Sequence, residues 1–380
     1  MPWHAVSWKN SSFLMGTLFL TLTAVPWYIW SYGINAFHVG LFLLFFIATG
    51  LSITLGYHRL FSHLSFKASW PVRLFTLIFG AAAFENSAYV WCADHRLHHK
   101  HVDGDDDPYN IRLGFWHAHI GWIMFKLKPQ PPYTNVGDLE KDPLVMWQDR
   151  NYAKIAVTAS FFVPAVIGFL YGGWVHALGA FLIAGVARVV FVQHMTFFIN
   201  SLCHTIGNRP YSSTCSARDS GIMALFTFGE GYHNYHHEFQ HDYRNGVKPW
   251  QFDPTKWAIW SLAKLGLASN LRRVPDEKIQ LAEIAEKQRC FEKRMAQQPE
   301  PLSAQILARL HSAQEQLQTA VHAWEQKKSE YSRGMEQTIE QSRQKLAALK
   351  QEFDLASERL RLAIEHWHQE HRLASAALSA

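Results

Sequence analysis

Long uncharged runs dominate the first half of the chain. Phe13–Tyr32 is 20 residues without a charged side chain, and Ile34–Tyr57 is 24 more, with only Gly33 between them. About 20 apolar residues cross a hydrocarbon core of about 30 Å as a helix, so the pair predicts a helical hairpin in a membrane. The first run lacks the small-residue cleavage site of a signal peptide and reads as a retained span. A third uncharged stretch, Ile155–Ala187, is 33 residues long and is divided by Gly172-Gly173. It predicts a third span at Tyr152–Tyr171 and a fourth at Trp174–Ile199. Arg188 falls inside the fourth, where a charge costs about 2.5–3.5 kcal/mol on insertion scales, so it is expected to face protein. Leu74–Ala93 is apolar except for Glu85. A crossing there would separate the histidines before it from those after it, so it reads as a buried or interfacial helix.

Four spans place both termini and every histidine cluster on one side. Lys9, Arg59, Lys67, Lys100, Lys126, Lys128 and Arg209 in the short flanks make that side cytoplasmic. In a bacterium the membrane would be the cytoplasmic one. Asp253–Ala296 reads as an amphipathic helical continuation, and Pro299-Glu300-Pro301 breaks it. From Leu302 onward there is no Pro and one Gly, Gly334. Apolar or small positions recur there at spacings of three and four: Leu317, Val321, Trp324, Tyr331, Met335, then Ile339, Ser342, Leu346, Leu349, Phe353, Ala356, Leu360, Ala363 and Trp367. The step from Met335 to Ile339 is a stutter in the heptad phase. The pattern predicts a long helix or coiled coil, either a solvated tail or a homo-oligomerisation element. The expected divisions are a membrane domain over 1–275, a helical linker over 276–298 and a helical or coiled-coil extension over 299–380.

Composition sharpens this picture. The 380 residues are 48% hydrophobic, 14% aromatic and only 18% charged. Of the 67 charged residues, 31 lie after Pro275, and the first 275 residues carry a net +6. Disorder is excluded for that part by its apolar content. The modest basic excess, with no basic stripe among stacking aromatics, fits a membrane protein and not a nucleic-acid binder. Cys92, Cys203, Cys215 and Cys290 are scattered, giving neither a disulfide framework nor a thiolate zinc site.

The 22 histidines are clustered. His58 and His63 follow the second run directly; His95-Arg-Leu-His98-His99 and His233-Asn-Tyr-His236-His237 repeat one spacing. In H-x-x-H-H the imidazoles stand at i, i+3 and i+4, one face of a helix. Asn200 and His204 place an amide and an imidazole four residues apart where the fourth span ends. Nine imidazoles and an amide exceed one metal's needs and suit two. Neutral imidazole fits Zn, Cu, Fe or Ni, and the E-x-x-H carboxylates of soluble di-iron bundles are missing. An all-nitrogen two-metal site at a membrane surface points to oxygen chemistry on an apolar substrate, because no side chain removes hydrogen from an unactivated methylene. His38, His176 and His194 read as core histidines; His101, His117, His119 and His241 lie off the repeated spacing. A metal transporter would place its ligands at the bilayer midplane, not after the span ends.

From about Phe13 to Asn270 the chain resembles the membrane acyl-CoA desaturases of the stearoyl-CoA delta-9 type, as a bacterial-type member with a helical C-terminal extension. The likeness rests on Gly56-Tyr57-His58-Arg59, Asp94-His95-Arg96, Asp107-Pro108-Tyr109-Asn110, Asn200-Ser201 with His204, Arg209-Pro210-Tyr211 and Gly229-Glu230-Gly231-Tyr232-His233-Asn234. It implies an all-α integral membrane fold, four transmembrane helices under a cytosolic helical cap. It implies two iron ions on His58, His63, His95, His98, His99, His204, His233, His236 and His237, with Asn200 on a metal-bound water. Glu230, Asp94 and Asp107 are expected to orient imidazoles. Asn86, Lys126 and Lys128 are the candidates for the substrate headgroup, while Ala93 stands where CoA-binding members carry Arg. The implied reaction takes a saturated acyl chain, O2 and two electrons from a ferredoxin, rubredoxin or cytochrome b5-type donor, and leaves a cis double bond. Acyl-CoA is the first expectation for the carrier, with acyl-phospholipid or acyl-carrier protein beside it. The rival is an alkane or fatty-acid hydroxylase with the same kind of iron pair, whose boxes carry acidic residues where this chain has His58-Arg59.

Overall fold

The uncharged runs fold as helices, the form that satisfies every backbone group internally in lipid. The computed structural model describes residues 3–126, 132–297, 304–336 and 343–379. Two units are compact by themselves, Met1–Val274 and Pro275–Ala380.

In the first unit, α1 (Trp8–Tyr32) ends at Gly33, whose φ of 78° is left-handed and whose N–H bonds Ile29 O at 2.9 Å. α2 (Ala36–Leu51) starts at the Asn35 cap and runs on into a wider π-type coil over Ser52–Ser62. Among the described residues, three stretches are long and apolar enough to cross a membrane: Trp8–Tyr32, Ala36–Ser62 and Pro143–His204. The last has 62 residues, which unbroken would reach about 93 Å. It is broken at Gly172 and Gly173, the latter at φ 77°. The chain doubles back there, so that a Cβ on Gly185 would stand 2.9 Å from Ser160 O. Within it lie α5 (Pro143–Val157), α6 (Val163–Ala180) and α7 (Arg188–Ser201). Arg188 is fully buried and donates to Ala82 O at 2.7 Å and Ala184 O at 3.1 Å.

Two segments differ from the sequence expectation. The single helix expected over 74–93 is two, α3 (Trp70–Ala81) and α4 (Ala88–His101). Phe84 and Asn86 between them take φ of 58° and 76°, and Ser87 caps the second by accepting from Val90 N. At 12 residues, α3 is about 18 Å long, shorter than the hydrocarbon core. The continuous helix expected over 253–296 is also divided. α10 (Pro254–Lys264) stops before left-handed Gly266, and β2 (Ala268–Ser269) then pairs antiparallel with β1 (Lys67–Ala68). Between α7 and α10 lie the short helices α8 (Gly221–Phe226) and α9 (His233–Glu238).

The second unit holds α11 (Asp276–Met295), α12 (Ala304–Glu336) and α13 (Arg343–Ser379). The expected long helix is therefore present as two, and they run antiparallel: Arg309 meets Glu370, Trp324 bonds Ser357, and Lys327 meets Glu352. Their seam residues Leu317, Trp324, Leu360 and Trp367 share a core with Ile284 of α11, while Phe291 packs with Leu310 and Ala374. The seam that predicted a coiled coil is thus filled from within the chain. Lys328, on that seam, sits 4.6 Å above the Trp324 ring. The stutter at Ile339, and Ser342, lie outside the described residues.

Candidate metal centre

Each histidine cluster arrives on an element whose geometry follows from its neighbours. The π-type coil at the end of α2 carries His58, and its backbone bond from His63 N to His58 O, 3.0 Å, turns His63 back toward it. Such coils concentrate at functional sites. α4 presents His95, His98 and His99, α9 presents His233, His236 and His237, and the turn after α7 presents His204.

The nine imidazoles fall into two groups. His58, His63, His95, His99 and His236 form one; His98, His204, His233 and His237 form the other, with one ligand atom of each within 4.8 Å of the others in its group. Nearest Nε2 atoms stand 3.0 Å apart for His58 and His236, 2.8 Å for His63 and His95, and 2.9 Å for His99 and His236. In the second group His204 and His233 are 3.0 Å apart, and His233 and His237 3.1 Å. With metal–nitrogen bonds of about 2.1 Å, neighbouring ligands at right angles stand about 3.0 Å apart. The donor set and its spacing fit two ions.

Two of the outer nitrogens face carboxylates, an arrangement that orients a ligating imidazole. Glu230 Oε2 lies 2.8 Å from His58 Nδ1, and Asp107 Oδ1 2.8 Å from His98 Nδ1. Burial and then the neighbouring imidazoles hold His95, His99, His233, His236 and His237 well below the ordinary histidine range, in the neutral form that binds metal. Burial pushes the Glu230 carboxyl up, but Arg59 and His58 outweigh it and hold it below its usual range. Asp107 is likewise lowered against burial, by His98 and by the N–H groups of Asp103 and Tyr109. The charge of Asp94 adds to burial in pushing the Tyr109 and Tyr133 hydroxyls up.

Asn200 lines an apolar cavity that reaches His58, His95, His98 and His233. Phe46, Gly50 and Ile53 of the second apolar stretch and Val192, Met195 and Ile199 of α7 form its walls. Trp91 also lines it, stacked 4.7 Å from His95. Asn86 is exposed and bonds Tyr152 through its backbone N–H; Lys126 is exposed, with its N–H on Ala5 O. Lys128 lies outside the described residues.

Sequence reading named Glu230 and Asp107 but missed the groups that hold Glu230 and His204 in place. Arg59, 1% exposed, donates to Glu230 Oε1 at 2.9 Å, Asp253 Oδ1 at 3.1 Å and Tyr243 O at 2.7 Å. Asn245 donates to Glu230 Oε2 at 2.6 Å. Ser216 joins His204 Nδ1 at 2.6 Å to Asp103. Arg59 stood in the Gly56-Tyr57-His58-Arg59 motif with no structural role assigned to it. Of the histidines set aside, His119 bonds His194 at 3.0 Å and His38 bonds Tyr28 at 3.3 Å, both outside the two groups.

Residues 35–268 match the family model for fatty acid desaturases. The chain belongs to the fatty acid desaturase family. A probable acyl-CoA desaturase of Schizosaccharomyces pombe is 45% identical over 253 residues, 66% of this chain and 52% of that protein. Acyl-CoA desaturase 1 of Saccharomyces cerevisiae is 39% identical over 303 residues, 78% of this chain and 58% of that protein. The human stearoyl-CoA desaturase is 34% identical over 278 residues, 70% of this chain and 74% of that protein. The chain thus spans little more than half the length of the two fungal relatives. The long apolar helices make this family member a multi-pass membrane protein.

Proposed function

We propose that this chain is an O2-dependent acyl desaturase and that its two imidazole groups hold two iron ions. The observation that carries the reading is the convergence of nine imidazoles, seven buried and two half-buried, in groups of five and four, with His58, His95, His98 and His233 lining an apolar cavity. When bound, the iron pair supplies O2 activation and the removal of hydrogen from adjacent methylenes. The protein's own part is placement. The cavity walls take the acyl chain out of water, and Trp91 fixes the plane of His95. Glu230 and Asp107 hold His58 and His98 with their Nε2 lone pairs turned inward. Asn200, which lines the cavity, is assigned the metal-bound water.

The finer reading follows the family. The break at Gly172–Gly173 supports four spans, and the basic flanks support a cytoplasmic site and cytoplasmic termini. The product carries a cis double bond, at delta-9 by analogy with the stearoyl-type relatives. Acyl-CoA is the first substrate, as the relatives' names indicate; acyl-phospholipid and acyl-carrier protein, the carriers of bacterial-type members, follow. A ferredoxin, rubredoxin or cytochrome b5-type donor supplies the electrons. Asn86 and Lys126 are assigned to the headgroup.

Elemental analysis of the purified full chain tests the metal reading: two irons per chain are expected. Incubation with stearoyl-CoA, O2 and a reducing system then separates products. A monounsaturated acyl chain supports desaturation; a hydroxylated chain overturns it.

A further inference from the structure

Between Lys248 and Arg273 the chain carries five basic side chains, Lys248, Lys256, Lys264, Arg272 and Arg273, and one acid, Asp253, which is buried. α10 sits in the middle of this stretch. It turns Ile259 into the core, at 0% exposure, and leaves Trp257 and Trp260 48% and 53% exposed. Ser261 and Lys264 share that outer stripe at helical spacing. Leu265, at the helix end, is 72% exposed. Lys264 Nζ lies 5.4 Å from the Trp260 ring. Trp70, at the start of α3, is 61% exposed. It is brought alongside by the β1–β2 pair and by Ser69 N on Leu267 O at 2.9 Å.

The place of this face is set by chain connectivity. Lys67 follows Ser62, the end of the second apolar stretch, by five residues, which extend over at most about 17 Å. Ser65 N bonds Arg59 O at 2.9 Å and Arg272 N bonds Ser65 O at 2.8 Å, so both segments are tied to that end. Tryptophans gather at membrane–water interfaces, and basic side chains there are drawn to anionic headgroups. A face of exposed Trp and Lys at the end of a span, whose 248–273 stretch has its one acid buried, has the complementarity of an interfacial amphipathic helix. The same helix begins at Asp253, which also binds Arg59 behind Glu230.

We propose that the outer face of α10, with Trp70 and Lys67 beside it, docks on the headgroup zone of the bilayer and favours anionic lipid. The test uses the full chain with Cys215→Ser and Cys290→Ser and an environment-sensitive NBD label on Ser261→Cys. It is reconstituted in nanodiscs of phosphatidylcholine, alone or mixed with phosphatidylglycerol. The expected result is an emission maximum blue-shifted from that of the NBD–cysteine adduct in buffer, and quenching by brominated acyl chains. Phosphatidylglycerol should enlarge both effects, and Lys67→Gln with Lys264→Gln should abolish that enlargement. A label that emits as it does in buffer in both nanodiscs, unquenched, overturns the proposal and leaves the face to a soluble protein. A blue shift with no dependence on phosphatidylglycerol overturns the lipid preference.

Discussion

Replacing Glu230 with Gln probes the layer behind the metal ligands most sharply. The carboxylate is 3% exposed and fully committed. Oε2 faces His58 Nδ1 at 2.8 Å and accepts from Asn245 at 2.6 Å, while Oε1 accepts from Arg59 Nη2 at 2.9 Å and Nε at 3.1 Å. Gln has the same shape, but its amide nitrogen must meet either the Arg59 donors or the Asn245 and His58 donors. Loss of such a partner behind a ligating histidine costs 10–100-fold in metal affinity, about 1.4–2.7 kcal/mol at 1.36 kcal/mol per tenfold. Arg59 keeps Asp253 and Tyr243 O, so the fold should survive. Arg59→Met is the contrast: it strands Glu230 and Asp253 as buried carboxylates, at about 3–5 kcal/mol. The assay follows iron retained by the full chain in detergent against rising chelator, alongside a thermal melt by circular dichroism. Glu230→Gln should shed one iron first, with a nearly normal melt, and Arg59→Met should melt early. Wild-type iron retention in folded Glu230→Gln would refute the reasoning.

Acid should weaken the metal-free chain. His95, His99, His233, His236 and His237 are held neutral by burial, so the unfolded chain binds more protons once pH falls below about 6.5. Its Tm by scanning fluorimetry should therefore drop between about pH 7 and 5.5; a flat Tm contradicts the neutral assignment. A Cβ on Gly50 would stand 2.1 Å from the Phe228 ring, which lines the cavity. Gly50→Ala should cost about 1–3 kcal/mol of overpacking and shift products toward shorter chains; an unchanged product profile removes Phe228 from the acyl path. Trp324 is 1% exposed in the core with Leu360 and Trp367. Trp324→Ala should cost about 3–5 kcal/mol, read as faster hydrogen exchange in 304–336 and 343–379, and unchanged exchange refutes that packing.

What was legible in the sequence followed local rules. Uncharged runs of span length show in hydropathy, and a Gly pair in the middle of one marks its break. The H-x-x-H-H spacing carries its own geometry, so the imidazoles could be grouped before their partition into five and four was seen. Glu230 and Asp107 were reachable because each stands near a box. The contacts of Arg59 with Asp253 and of Ser216 with Asp103 were not, because they join segments 194 and 113 residues apart. The break at 82–87 escaped notice because Phe84 and Asn86 adopt left-handed backbone with no glycine to signal it. The antiparallel fold of α12 on α13 escaped because a heptad seam does not say which helix fills it.

Expression of the full chain in cells lacking their own desaturases, followed by gas chromatography–mass spectrometry of total fatty acids with double-bond mapping, tests the central claim most directly. A new cis monounsaturated acyl chain that disappears with His236→Ala is the predicted result. Hydroxylated chains, or unsaturation that persists in a folded His236→Ala variant, would contradict it.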